Sequence, residues 1–230
     1  MTTLVHHRTK AELALQVLRQ QIRTGELEPG RRLRLNDLTR ELGMSPTPIR
    51  EALRLLQADG LVHYHPHQGI VVAELSSEET EDVVRLRCLL EPLAVELAVP
   101  SLTPEQLRVL EDLHQKLLAA VDARRGSEIS ASNASWHWAM YDACGSLHLR
   151  KFIRRLWDVY PWRTMWALPG RAEESAREHQ RIMGAIAVGD AQVAAHRLRE
   201  HILSSHQSLL NRLESERSGS TREPEAAIAT

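Results

Sequence analysis

The chain has 230 residues, 43% of them hydrophobic and 26% charged, with a formal net charge of −1. This balance supports a packed core and excludes global disorder. Two cysteines, Cys88 and Cys144, lie in apolar helical patterns; they read as reduced core thiols and exclude a disulfide framework. There is no apolar run of about 18 residues, and the first residues carry no signal-peptide core, so a cytoplasmic protein with no membrane partner is expected.

Taken in chain order, residues 11–22 place Ala14, Val17, Leu18 and Ile22 at helical spacing, and Gly25 follows as a stop. Pro29-Gly30 marks a turn. A short helix reads over residues 36–42, with Leu38 and Leu42 inward and Gly43 suited to a left-handed cap. A third helix starts at Ser45, a good N-cap. Pro46 and Pro48 fall in its first turn, where the missing N–H groups have no intrahelical partner to lose. Its apolar stripe is Ile49, Ala52, Leu53 and Leu56, and Gly60 ends it. Two β-prone runs then flank Pro66-His67-Gln68-Gly69, which predicts a hairpin. Three helices and a hairpin, with a short glycine-containing turn between the second and third helices, have the layout of a winged helix-turn-helix.

Beyond residue 75 the β signal ends. Ser76 with Glu79 and Thr103 with Gln106 match the capping box, so helices should start there. Further helices read at 127–144, 147–167, 171–188 and 190–213, and Pro161 should kink or split the second of these. The fold expected is mainly α: an N-terminal winged helix-turn-helix (1–75), an all-α six-helix effector bundle (76–214) and a disordered tail (215–230). Residues 1–75 carry a formal charge of +2 and residues 76–230 carry −3. The asymmetry is small, but its sign suits a nucleic-acid module on an acidic body.

The run Pro29-Gly30-Arg-Arg-Leu33 … Asp37-Leu38 … Leu42-Gly43-Met-Ser45-Pro-Thr47-Pro48-Ile49-Arg50-Glu51-Ala52-Leu53 … Asp59-Gly60-Leu61-Val62 … Gly69 resembles the winged helix-turn-helix of the GntR family. The resemblance implies a DNA-binding transcription regulator and not an enzyme, with double-stranded operator DNA as partner. The leading end of the third helix would enter the major groove. Ser45 and Thr47 can donate to phosphate oxygens, and Arg50, one turn on, can reach a phosphate or a guanine edge. Arg34 resembles a position that touches DNA in the family. His67, Gln68 and Gly69 would form a wing tip near the minor groove. The family usually has an arginine where this chain has Pro46, which shifts expected specificity towards Arg50, Arg54 and the wing.

Twelve histidines are many for this length. Asn133 and His137 share one helical face with Met140, Tyr141 and Cys144. His179 lies with Ile182, Met183 and Ile186, and His201 with Ala194, Leu198 and Ser205. Three helices thus each offer a polar ligand on an apolar side. That pattern suits either a divalent-metal site or three separate core histidines. His114, His148, His196 and His206 read as solvated.

Residues 78–213 resemble, more weakly, the helical effector domain of the FadR subgroup, in its VanR-like branch. The motifs are Arg87-x-x-x-Glu91-Pro-Leu-Ala, Asn133-x-x-x-His137, Glu178-His179 … Ala185-Ile186 and Arg199-Glu200-His201. The resemblance implies metal ligands at Asn133, His137, His179 and His201, where the family typically has an Asp at the first position. It also implies a divalent ion, zinc foremost with nickel, manganese or iron as alternatives, a small carboxylate effector, and a homodimer that represses transcription. Arg87 and Arg163 would pair with the carboxylate and Trp157 would wall the pocket. The alternatives are an ion pair to Glu91 for Arg87 and a core position for Trp157. Two other functions stay open: a helical metalloenzyme, although no general base or H-E-x-x-H run accompanies the histidines, and a dimerisation scaffold with a structural metal or none.

Overall fold

The computed structural model describes the backbone of residues 8–220 and the side chains of residues 8–212. Two compact units divide the chain. The first holds Met1–Val83 with Phe152–Arg163, and the second Val84–Lys151 with Thr164–Thr230.

The first unit contains α1 (Lys10–Thr24), β1 (Arg32–Leu33), α2 (Leu35–Leu42), α3 (Pro46–Ala58), β2 (Val62–His65) and β3 (Gly69–Val72). A capping box opens α1: the Glu12 amide donates to the Thr9 hydroxyl at 3.1 Å, and the Thr9 amide to the Glu12 carboxylate at 2.8 Å. Gly43, at φ 61°, closes α2 in the left-handed region that a side chain would strain. The wing is a sheet of order β1-β3-β2, antiparallel throughout, with His65 opposite Gly69 and Val62 opposite Val72. The expected hairpin therefore has a third strand, β1. At two residues it is too short to show a period.

The core of this unit joins Ala14 and Leu18 of α1, Leu38 of α2, and Ile49, Ala52, Leu53 and Leu56 of α3 to Leu61, Val62 and Val72, with Val159 packed against it. Residues 152–163, expected in the second domain, cluster with this unit. Arg19 pairs with Asp59 and, at 3.1 Å, with Asp158; Arg155 pairs with Asp59 at 3.3 Å.

The second unit is helical: most of α4 (Ser77–Ala98), then α5 (Pro104–Asp122), α6 (Gly126–Asp142), the start of α7 (Leu147–Val159), most of α8 (Trp162–Trp166), α9 (Arg171–Ala187) and α10 (Ala191–Ser220). Both expected capping boxes form, at Ser76/Glu79 and Thr103/Gln106. Pro161 splits its helix outright, so six expected helices become seven segments among the described residues. Helix α10 runs on through Ser220 and takes in the first residues of the segment expected to be disordered; residues 221–230 lie outside the described residues. Helix α5 packs on α6 and α9, and α9 packs on α10. Those contacts bring the apolar faces of α6, α9 and α10 together.

Leu56 is fully buried, whereas Leu13 of α1 is 43% exposed. Leu56→Ala should lower the unfolding free energy of the protein by about 2–5 kcal/mol, and Leu13→Ala by well under ~1 kcal/mol. Denaturant melts of the two variants check this, and equal losses would contradict the packing described.

Candidate metal centre and nucleic-acid interface

At the front of α3, Ser45 takes the N-cap position in extended backbone, and its side chain makes no capping hydrogen bond. Ser45, Thr47 and Arg50 are all exposed, as is Arg34 at the N-cap of α2. This helix start presents hydroxyls and a guanidinium to solvent, together with the positive end of the helix dipole. Arg54 is also exposed but is held by Glu51 in a two-pronged contact of 2.8 and 3.2 Å. At the wing tip His67 and Gln68 are exposed. His67 (φ 71°) and Gly69 (φ 79°) both adopt left-handed backbone. A histidine in that conformation is uncommon and strained.

In the second unit, ring nitrogens of His137 (α6), His179 (α9) and His201 (α10) all lie within 4.8 Å of one another, and all three residues are buried. The His179 ring stacks on Trp136 with centroids 3.9 Å apart. Asn133 is buried one turn before His137, and its amide oxygen accepts from Ser175 at 3.5 Å.

Hydrogen bonds define how two of the rings are held. Tyr141 donates its hydroxyl proton to Glu91 at 2.5 Å. Its oxygen therefore accepts from His137 Nδ1–H at 2.9 Å, which leaves Nε2 as the lone-pair nitrogen of that ring. Arg87 grips the other oxygen of Glu91 at 2.6 Å. On the opposite side, His201 Nδ1 lies 2.7 Å from Glu178, which also pairs with Arg171. Burial depresses the pKa of His201, although Glu178 opposes the shift. Burial likewise places His137 and His179 well below the ordinary imidazole value. Burial raises the Glu178 carboxyl, but the His201 and Arg171 contacts outweigh it and hold the group at about 2. Three neutral imidazoles thus face one point, two of them oriented by outward hydrogen bonds in the manner of metal-bound histidines. Both ring nitrogens of His179 are buried without a hydrogen-bond partner, an arrangement that a cation would satisfy. The residues fit a divalent metal.

The structure corrects several expectations. Arg87 is 2% exposed and committed to Glu91, the alternative stated for it. Trp157 is a core residue packed on Trp162, with centroids 4.5 Å apart. Arg163 belongs to the first unit, where it pairs with Glu28 at 2.6 Å. Trp157 and Arg163 both cluster with the first unit, whereas the three histidines belong to the second. His114 and His206, expected in solvent, are buried, and His114 Nε2 lies 3.0 Å from the Gln180 amide oxygen. His148 and His196 are exposed as expected. Sequence reading missed Tyr141 and Glu178 as partners of the histidines. The four-residue spacing of Tyr141 from His137 was a usable signal. The separation of 23 positions between Glu178 and His201 gave none.

Residues 10–72 match the gntR family of bacterial regulatory proteins, and residues 82–204 match the FCD domain. The HTH-type transcriptional regulator YdhC of Bacillus subtilis is 30% identical over 190 residues, covering 81% of this chain and 83% of YdhC. The chain belongs to the GntR family. Among other relatives of this GntR protein, the HTH-type transcriptional regulator McbR of Escherichia coli is 36% identical over 148 residues, 63% of this chain and 67% of McbR. The solved structure of E. coli McbR/YncC superposes with a TM-score of 0.83 at 28% identity, covering 90% of this chain and all of that one. The HTH-type transcriptional repressor GlaR of E. coli is 29% identical over 200 residues, 81% of this chain and 90% of GlaR. These relatives are transcriptional regulators, and this GntR protein is a DNA-binding regulator and not an enzyme. Among the described residues, no helix is long and apolar enough to cross a membrane.

The buried histidines make stability depend on pH. Unfolded imidazoles titrate near 6.5, and the folded ones lie below that. The unfolded chain therefore binds more protons as pH falls through 6.5, and stability is lost on acidification. Glu178 adds the same sign from 4.5 downwards. Metal-free protein should melt lower at about pH 5.5 than at about pH 7.5. His179→Gln should flatten the slope by at most about 1.4 kcal/mol per pH unit. An identical slope in the variant, read by calorimetry across that range, contradicts the neutral buried ring.

Proposed function

We propose that this GntR regulator is a cytoplasmic, homodimeric repressor whose operator affinity is set by a small carboxylate metabolite bound at a divalent metal in the helical unit. The observation that supports it most is the convergence of three neutral, buried imidazoles on one point, in a chain whose front end is a winged helix-turn-helix. His137, His179 and His201 would hold the ion, with Asn133 as a fourth, neutral donor. Zinc suits imidazole donors, and nickel, manganese or iron are the alternatives. When bound, the cation supplies an electrophilic anchor for the carboxylate. Tyr141 with Glu91 and Arg87 on one side, and Glu178 with Arg171 on the other, hold the rings in place. The E. coli relative GlaR, a transcriptional repressor, supports repression as the mode.

On DNA, the Ser45 and Thr47 hydroxyls position the α3 start on phosphates and Arg50 reads a guanine edge. Arg34, Arg54 and the wing residues His67, Gln68 and Gly69 add contacts; Arg54 shares its charge with Glu51. A dimer would bind a palindromic operator with half-sites about one helical turn apart.

Fluorescence anisotropy on DNA from the protein's own promoter region tests the DNA reading. Arg50→Ala should weaken operator binding about 5–150-fold and leave non-specific binding far less affected. Metal analysis of protein purified without chelator or nickel resin, followed by titration of operator complexes with a panel of hydroxy acids and sugar acids, tests the sensor. His137→Ala/His179→Ala should lose bound metal and acid-induced release while keeping operator affinity. A double variant that still responds fully ends the metal-sensor reading. Bound metal with no response to any acid favours the scaffold.

A further inference from the structure

The outer face of the wing carries basic groups that nothing in the fold uses. Arg32 of β1 and His63 of β2 are both registered opposite Val71 of β3, so the three side chains form one row across the sheet. His65, two residues beyond His63 and opposite Gly69, lies on the same face. The other face, with Leu33, Val62 and Val72, belongs to the core cluster, and Val71 does not. Arg32, His63 and His65 are all exposed. No described residue gives any of their side chains a hydrogen bond or an ion pair. The acids of the neighbouring elements are elsewhere or engaged. β3 has none. Helix α3 packs on β2 from the core side, where Glu51 is taken by Arg54 and Asp59 by Arg19 and Arg155. Glu74 follows β3 at the end away from the tip. Arg31, beside Arg32, donates to the Glu26 carbonyl at 3.1 Å.

We propose that this outer wing face binds the sugar-phosphate backbone of the operator duplex, with Arg32, His63 and His65 as its phosphate contacts. The proposal rests on the DNA reading above and extends it from the wing tip to a whole sheet face. The minor groove is about 6 Å wide. A hairpin tip lodged in it therefore has a phosphate strand on either side, and the hairpin face turned away from the core looks onto one of them. His65 adjoins the tip residues His67 and Gln68. His63 stands about 6.6 Å further along the strand, and β1 lies two strand spacings, about 9.6 Å, from β2, so the face spans more than one phosphate. Two of its three contacts are imidazoles, a side chain that in water carries charge only below about pH 6.5. A phosphate beside an imidazole favours the charged form, so the wing takes up protons as the duplex binds. Operator affinity then rises as pH falls through that range. The sign is opposite to that of folding stability, which the buried histidines lower on acidification. Phosphate contacts carry no sequence information, so the face strengthens binding to operator and to unrelated duplex alike.

Fluorescence anisotropy on the full chain, with operator and unrelated duplexes between about pH 6 and pH 8 and over a range of salt, tests this. The unaltered protein should bind tighter at the acid end, by no more than about tenfold for each histidine whose pKa the phosphate raises by one unit. His63→Gln/His65→Gln, with unchanged circular dichroism, should lose most of that gain while binding nearly normally at pH 8. Arg32→Gln should weaken both duplexes by a similar factor at every pH and lower the salt slope by about one, unlike Arg50→Ala, which acts on the operator. An unaltered protein that binds no duplex overturns the DNA reading together with this face. Tight operator binding in which the histidine pair leaves the pH dependence intact and Arg32→Gln leaves the salt slope intact overturns the face alone.

Discussion

Everything in the second unit turns on the desolvation of three imidazoles at one point. Each ring is removed from water, so each is held neutral, and each neutral ring must place one N–H and one lone pair. A buried polar atom left without a partner costs about 1–3 kcal/mol. The fold meets part of that demand from outside the cluster: Tyr141 takes the His137 proton end and Glu178 takes that of His201. The remaining lone pairs turn inward. Apolar packing of α6, α9 and α10 would be served at least as well by leucine. The arrangement is therefore intelligible as a binding site and costly as a core.

The two outward partners are themselves restrained. Arg87 fixes Glu91, and Arg171 fixes Glu178. This explains why Arg87, which the sequence suggests as an effector contact, is unsuited to that task. Its charge is already spent on a buried carboxylate, and removing it would leave Glu91 uncompensated in a dry environment. The residue serves the site through Tyr141 and His137.

How much could be read beforehand follows from the range of each interaction. The helix-turn-helix was legible because its signals are local: the cap at Ser45, the prolines of the first turn and the stop at Gly60 act within a few residues. The three histidines were legible because each marks the apolar face of its own helix. The orienting network was only half legible. Arg87 with Glu91 and His137 with Tyr141 are four-residue neighbours on single helices, whereas His201 with Glu178 exists only because α9 packs on α10. Arg163 and Trp157 were misplaced for the same reason. They lie beside Pro161, and the direction the chain takes there depends on tertiary contacts with Glu28 and Trp162 that no periodicity encodes. His114 and His206 were misread because a helix can bury polar side chains outside its main apolar stripe when a neighbour supplies a partner, as Gln180 does for His114.

Asn133 gives this site its particular character. With an aspartate there, a divalent ion would sit among three neutral rings and one negative charge. With the amide, the immediate donors would all be neutral, and the carboxylates behind the rings, Glu91 (through Tyr141) and Glu178, are each opposed by an arginine. A bound cation would keep nearly its full double charge in a low-dielectric pocket, where an unpaired charge is expensive. On the proposed reading, an anionic ligand would relieve that cost by direct contact, so cation and carboxylate would each strengthen the binding of the other, and by linkage to the same degree. A single neutral side chain would thereby turn a site that binds metal alone into one that holds it firmly only in the presence of its acid.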